Sequence, residues 1–408
     1  MRKISRCHQD FIDIIYKLAD ICNLQDFEYL TEFGCEDIDS FLGGTYKVQI
    51  KGYRDGQKIK KTTVIKWHPE PKMRSCFRES YRREFVFYRH VAPNLLKMQR
   101  SFKIIEGLKM KIPNCIFASV EYDKETIAVL GLQEDGFRLR DRLHKADFEH
   151  VSLVMKNLAK LHALSFVLAK TNPSEFVEIA ELCHRDVQYS NPGPPPKSMK
   201  SYYDASVDVV SDPVARDKLR KLGPDILTVL YKCTQSDCHS AICHGDCWNN
   251  NMLFKYMGTR PVEMILIDYQ LMRYASPVTD ISYFLYMSTE RDFLNTHYYH
   301  ILDIYYGTLT AVLRQCNLGV EDVYPRKIFQ HHLKEYSILG LIEALISMMI
   351  ITAPSEEALK MTEVKYEYSN DEMYEEKCQD HALFVDRVNG VVNDFFGKGY
   401  LVDALLSQ

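Results

Sequence analysis

The sequence predicts an α+β protein of two lobes, a small β-rich lobe over residues 1–132 and a larger, mainly helical lobe over 133–408. Three observations predict it. A chain of 408 residues exceeds one typical domain. With 46% hydrophobic and 12% aromatic residues it can bury large cores and lies far from the composition of disordered chains. The hydrophobic period also changes along the chain, from short alternating runs to three- and four-residue spacing, with no internal repeat to organise it otherwise.

Residues 10–30 read as an amphipathic helix with Phe11, Ile14, Ile15, Leu18 and Ile21 on one face. Residues 45–50 and 61–67 read as strands flanking Asp55-Gly56, a hairpin signal. Residues 77–91 are helical, and 127–132 form another strand that runs into Gln133-Glu134-Asp135-Gly136. The second lobe opens with a helix over 148–168, whose buried stripe is Val151, Met155, Leu158, Leu161, His162 and Ser165. The prolines of 171–200 predict that at least part of this stretch is irregular, a surface excursion of which part borders an acceptor cleft. Residues 251–256 and 262–268 form a second hairpin about Met257-Gly258, followed by mostly helical periodicity. Within that stretch 337–353 is nearly all apolar, but its length and the central Glu343 make it a buried helix and not a membrane span.

Lys plus Arg total 51 against 55 Asp plus Glu, so the net charge of -4 offers no footprint for nucleic acid or an anionic membrane. Charged and polar residues interrupt residues 1–10, and twelve cysteines are scattered through the chain. The expectation is a cytoplasmic protein with reduced thiols.

Polar residues concentrate in Cys243-His244-Gly245-Asp246-Cys247-Trp248-Asn249-Asn250-Asn251, followed 22 residues after Asp246 by Ile267-Asp268-Tyr269-Gln270. Phosphoryl transfer from ATP needs a carboxylate to orient and deprotonate the attacking hydroxyl, plus amide and carboxylate oxygens to hold Mg²⁺. Asp246, Asn251 and Asp268 fit those catalytic roles, with Asn251 and Asp268 as the metal ligands. Taken alone, Asp246 and Asn251 fit loop capping equally well. The hairpin that returns Asp268 to the same place favours the metal site.

His-Gly-Asp-x-Trp-x-x-Asn, Ile-Asp-Tyr-Gln and the later Asp280-Ile281-Ser282-Tyr283-Phe284-Leu285 resemble the insect ecdysteroid-kinase-like group of small-molecule kinases, within the choline-kinase-like and aminoglycoside-phosphotransferase-like branch of the protein-kinase fold. The resemblance spans about residues 25–400. It implies a two-lobed protein-kinase-like fold with ATP and Mg²⁺ between the lobes and a small-molecule alcohol as acceptor: an ecdysteroid or another lipophilic alcohol, with choline, ethanolamine or an aminoglycoside as the alternative. It also implies that Lys66, in the strand Val64-Ile65-Lys66-Trp67, binds the α/β-phosphates. A solvent-facing strand lysine is the alternative, but Glu84 interrupts the aromatic stripe of Phe77, Tyr81, Tyr88 and Val91, a carboxylate there needs a partner, and the resemblance implies that Lys66 is that partner.

Ser40, Gly43 and Gly44 are candidates for the phosphate-covering loop, although residues 34–45 depart from Gly-x-Gly-x-x-Gly and carry acids. The hinge also departs from the family pattern, with Leu130-Gly131 in place of an acidic pair. Asp280, after Pro277-Val278-Thr279, reads as a helix N-cap, and His244 as a loop organiser. Two rivals remain. A zinc site from Cys233, Cys238, Cys243 and Cys247 lacks paired Cys-x₂-Cys spacing. A non-catalytic nucleotide- or ligand-binding member would normally have lost Lys66, Asp246, Asn251 or Asp268, and all four are present.

Overall fold

Phe11, Ile15, Leu18 and Ala19 recur at helical spacing and are the buried face of α1 (Gln9–Ile21). The helix stops there, because Asn23 takes the left-handed conformation (φ 53°) and the chain re-enters as strand β1 (Gln25–Phe33). The single helix expected over 10–30 is therefore a helix and a strand. The computed structural model describes residues 9–33, 44–68, 77–184, 193–354, 358, 381–400 and 402.

Strands β2 (Thr45–Arg54) and β3 (Gln57–Lys66) form the predicted hairpin in full ten-residue register, turning at Asp55 (φ 52°) and Gly56 (φ 75°). Two positive φ values match the right-handed strand twist, which is why Asp-Gly closes hairpins. Helix α2 (Arg78–Val86) passes through a π turn at Phe87–Val91 into α3 (Ala92–Ser101), so the predicted helix runs one element further. Strands β4 (Cys115–Ser119) and β5 (Thr126–Leu130) complete an antiparallel sheet of order β1-β2-β3-β5-β4. Val48, Ile50, Ile65 and Ala128 on one face pack with α1 and Trp67 into a core of their own.

Beyond the hinge, β6 (Phe137–Leu139) precedes α4 (Phe148–Thr171), α5 (Pro173–His184), α6 (Lys197–Asp208), α7 (Pro213–Leu222) and α8 (Ile226–Cys233). Helices α5 and α6 replace much of the expected excursion. Pro173 occupies the first helical position, where its missing N–H costs nothing, so Asn172-Pro173 starts a helix and does not mark a loop.

Strand β7 (Ala241–Cys243) leads into the polar cluster, and β8 (Met252–Met257) and β9 (Arg260–Leu266) form the second hairpin, with β6 on the outer edge of β8. Strand β10 (Arg273–Ala275) returns to pair with β7. The polar cluster is thus closed at its base by two strands.

The remaining helices are α9 (Val278–Ser288), α10 (Arg291–Gln315), α11 (Val320–Val323), α12 (Arg326–Thr352) and α13 (His381–Gly397). By length and composition α4 and α12 could each cross a membrane, but most of their residues are buried within the lobe. Glu343 on α12 is buried too. Every residue of α9 is buried, and it crosses α12 so closely that a Cβ on Gly340 would stand 2.4 Å from the backbone of Ser282. That contact fixes the position of the helix beneath the polar cluster.

Candidate active site

The loop between β7 and β8 turns at Gly245, whose φ of +86° and approach to Leu271 leave no room for a side chain: an added Cβ would lie 1.9 Å from the Leu271 carbonyl oxygen. Asp246 follows, 8% exposed. Its Oδ1 accepts the Tyr283 hydroxyl at 2.8 Å and its Oδ2 accepts Asn251 Nδ2 at 2.9 Å. The same Asn251 amide nitrogen donates to the Asp246 carbonyl at 2.8 Å, so both its protons are used and Oδ1 remains as a ligand atom. Burial, with the Asp268 charge adding to it, raises the Asp246 carboxyl above its ordinary pKa, against the Tyr283 and Asn251 hydrogen bonds. A carboxylate with a raised pKa is suited to general-base work.

His244 is a strut. Its Nε2 faces the Ile267 carbonyl at 2.9 Å and so carries the proton, while Nδ1 accepts the Asp246 N–H at 3.3 Å. Burial lowers its pKa, in keeping with a neutral ring. The histidine ties the loop to the strand end that carries Asp268.

Asp280 differs from its expected role. Pro277 is the N-cap of α9, and Asp280 lies inside the first turn with its side chain directed away from its own helix. Its Oδ2 accepts the His244 N–H at 2.6 Å and its Oδ1 the Gly245 N–H at 2.9 Å, so it caps the loop and not the helix. His162 Nε2 donates to Oδ2 at 3.1 Å, and the Tyr305 hydroxyl bonds His162 Nδ1 at 2.8 Å. Burial alone would raise the Asp280 carboxyl, but the His162 hydrogen bond and the His162 and Arg273 interactions outweigh it and hold the pKa at about 2. Arg273 also donates to the Gly245 carbonyl at 2.7 Å.

Across the cleft the predicted stripe runs over α2 and the π turn after it, with Phe77, Tyr81, Glu84, Tyr88 and Val91 all buried. Lys66 Nζ lies 2.7 Å from Glu84 Oε2 and 2.6 Å from Asp268 Oδ1. Burial would lower the Lys66 ammonium, but the two carboxylates hold it above its ordinary value. Glu84 is pushed up to about 7 by burial and the Asp268 charge, with Lys66 pulling the other way. One cation thus serves two carboxylates. Asp268 itself sits at φ 66°, left-handed backbone that Asp tolerates better than most residues.

Tyr269 stacks on Phe87 at 3.3 Å between centroids and lies 4.6 Å from the His244 ring. It therefore couples the π turn after α2 to the loop that carries His244 and Asp246. Tyr88 belongs to the predicted stripe and Tyr269 to the Ile-Asp-Tyr-Gln motif, but the stacking of Tyr269 on Phe87 joins separate elements and leaves no local signal.

Lys66, Glu84, Asp246, Asn251 and Asp268 line one cleft, with Val64, Val129, Leu130, Leu132, Leu253 and Ile267 as its apolar walls. Two buried atoms on this cleft, Thr45 Oγ1 and Gln133 Oε1, have no hydrogen-bond partner among the described residues. Such atoms call for a polar ligand. With Asn251 Oδ1 and the Asp268 carboxylate as hard oxygen ligands, the set fits a nucleotide with a divalent cation. Neither Thr45 nor Gln133 carried a motif in the sequence. Ser40 and Gly43 lie outside the described residues. Gly44 has φ +77°, and a Cβ there would stand 2.4 Å from the Trp67 carbonyl oxygen, so at the base of β2 it meets a backbone requirement.

Of the proposed zinc cysteines, Cys233, Cys243 and Cys247 are buried and Cys238 is exposed. Among the described residues the group that could hold a metal is His162, Cys243 and Asp280. His162 and Asp280 bond each other, and Cys243 Sγ donates to the Ala275 and Ser276 carbonyls.

Fold and cleft together define a two-lobed, kinase-like architecture. The chain belongs to the ecdysteroid kinase-like family, whose model matches residues 37–318. No curated protein sequence matches the chain closely enough to count as a relative. Among solved structures it is similar to the choline kinase LicA from Streptococcus pneumoniae, at 10% identity, covering 96% of this chain and 100% of that one with a TM-score of 0.41. The macrolide 2'-phosphotransferase MphH from Brachybacterium faecium matches at 14% identity over 86% of this chain and 97% of that one, with a TM-score of 0.37. A choline/ethanolamine kinase family protein from Mesorhizobium loti matches at 11% identity over 93% and 99%, with a TM-score of 0.39.

Proposed function

We propose that this protein transfers the γ-phosphoryl group of ATP, in the presence of Mg²⁺, to a hydroxyl of an uncharged lipophilic molecule, an ecdysteroid or a xenobiotic alcohol. The observation that carries the reading is the convergence of Lys66, Asp246, Asn251 and Asp268 on one cleft. Asp246 orients the acceptor hydroxyl and takes its proton as the new O–P bond forms and the bond to the β-phosphate oxygen breaks, the electron pair leaving with ADP. Asn251 Oδ1 and the Asp268 carboxylate would hold Mg²⁺, which when bound neutralises charge on the phosphate oxygens. Lys66, set by Glu84, binds the α/β-phosphates. The hinge backbone at 130–133 and the apolar walls receive the base.

The lipophilic acceptor is supported by the state of the acids. Of the carboxylates lining the cleft, Glu84 and Asp268 are paired with Lys66, and Asp246 is held by Tyr283 and Asn251. That leaves the cleft's described acids committed, where a quaternary ammonium needs acidic and aromatic neighbours. The test is a competition of sterols, plant phenolics, choline and ethanolamine for ATP-dependent phosphorylation. A far higher kcat/KM for choline or ethanolamine would overturn the acceptor class and leave the phosphotransferase standing.

A further inference from the structure

The motif Asp280-Ile281-Ser282-Tyr283 puts two side chains three residues apart on α9, hence on one helix face, and both reach the catalytic loop. Asp280 holds the backbone of His244 and Gly245. Tyr283 reaches the reacting carboxylate itself: its hydroxyl donates to Asp246 Oδ1 at 2.8 Å in a site where both residues are buried. On its other side the carboxylate is held by Asn251 alone, through Oδ2. A carboxylate with one fixed oxygen can still turn about Cβ–Cγ, which is a soft, two-fold torsion. Held at both oxygens, it keeps its plane, and one lone pair on each oxygen stays free for an incoming hydroxyl.

We propose that Tyr283 is a positioning residue for phosphoryl transfer, clamping the Asp246 carboxylate in the plane from which it receives the acceptor proton. The inference rests on the reading of Asp246 as the group that meets the acceptor. The phenol contributes no proton to the balance. It donates the same hydrogen bond before and after transfer, and the acceptor proton ends on Asp246. The helix can hold a fixed angle because Gly340 lets α12 press directly against Ser282, the residue before the tyrosine. Asp280 and Tyr283 therefore set the loop backbone and the carboxylate from one rigid support.

The variant is Tyr283→Phe, which removes only the hydroxyl and keeps the ring packed. It is expected to lower kcat about 10- to 100-fold, the scale of a misplaced reacting group, with the acceptor KM and the ATP dissociation constant within about 3-fold of wild type, a difference of about 0.7 kcal/mol or less. In an Asp246→Asn background the same change should have no further effect on residual turnover, whereas a merely structural tyrosine would lower both backgrounds alike. High-resolution structures supply a readout that does not depend on turnover: the Asp246 carboxylate should be turned in Tyr283→Phe and in plane in the wild type. Wild-type kcat in the variant, or an unturned carboxylate, overturns the proposal. If the wild-type protein phosphorylates no alcohol, the functional reading falls, and the carboxylate orientation still decides the clamp.

Discussion

Replacing Asp280 by Asn tests the loop architecture, because the side chain is fully buried and accepts two backbone N–H groups and one imidazole N–H. Two routes give the magnitude. The carboxyl is held at about 2 against an ordinary 3.8, and at about 1.4 kcal/mol per unit that corresponds to about 2.5 kcal/mol of stability at neutral pH. Independently, an Asn carbonyl satisfies one backbone donor while its NH₂ confronts another, losing one charge-assisted hydrogen bond worth about 1.5–3 kcal/mol. The sign follows from the depressed folded pKa: the contribution is present above about pH 4 and is lost as the pH falls towards about 2. Urea denaturation of both proteins at pH 7 and at stepped acid pH reads this directly, with unchanged m-values required. The expected gap is about 2–3 kcal/mol at pH 7, closing in acid, together with a lower kcat. A gap under about 0.5 kcal/mol that does not depend on pH would refute the capping role.

Asp268→Ala should abolish the Mg²⁺ enhancement of ATP binding, measured by titration with and without the metal; full enhancement in the variant would remove Asp268 from the metal site. Gly245→Ala incurs a left-handed backbone cost of about 1–2 kcal/mol before its Cβ meets the Leu271 carbonyl, so loss of activity and a lower denaturation midpoint are expected, and a fully active, equally stable variant would contradict the loop geometry. Zinc chelation in excess Mg²⁺ should change neither folding nor activity, and stoichiometric zinc in the purified protein would count against the site described above.

Much of the site was legible because its chemistry is compressed into nine consecutive residues and one strand end. Glu84 was legible for a different reason: a carboxylate in an aromatic stripe announces a partner. What stayed hidden depends on contacts distant in sequence. Asp280 follows a proline in the pattern of an N-cap, yet its partners His244 and Gly245 lie 36 and 35 residues earlier. Tyr283 belongs to a motif that carries the family resemblance, but its role depends on a hydroxyl contact with Asp246, 37 residues earlier. In the fold, β1 was absorbed into the helix before it because an edge strand with Glu28, Leu30 and Glu32 exposed carries little burial pattern. Helix α5 was hidden by Pro173, which signals a loop in most contexts and a helix start in this one.

The central claim is that Asp246 receives a proton from an alcohol during phosphoryl transfer from ATP. Its most direct test is turnover of wild type and Asp246→Asn with ATP, Mg²⁺ and a lipophilic alcohol, measured alongside ATP affinity. The account predicts a loss of turnover of roughly 10²-fold or more with nucleotide binding largely retained. Wild-type turnover in the variant would contradict it.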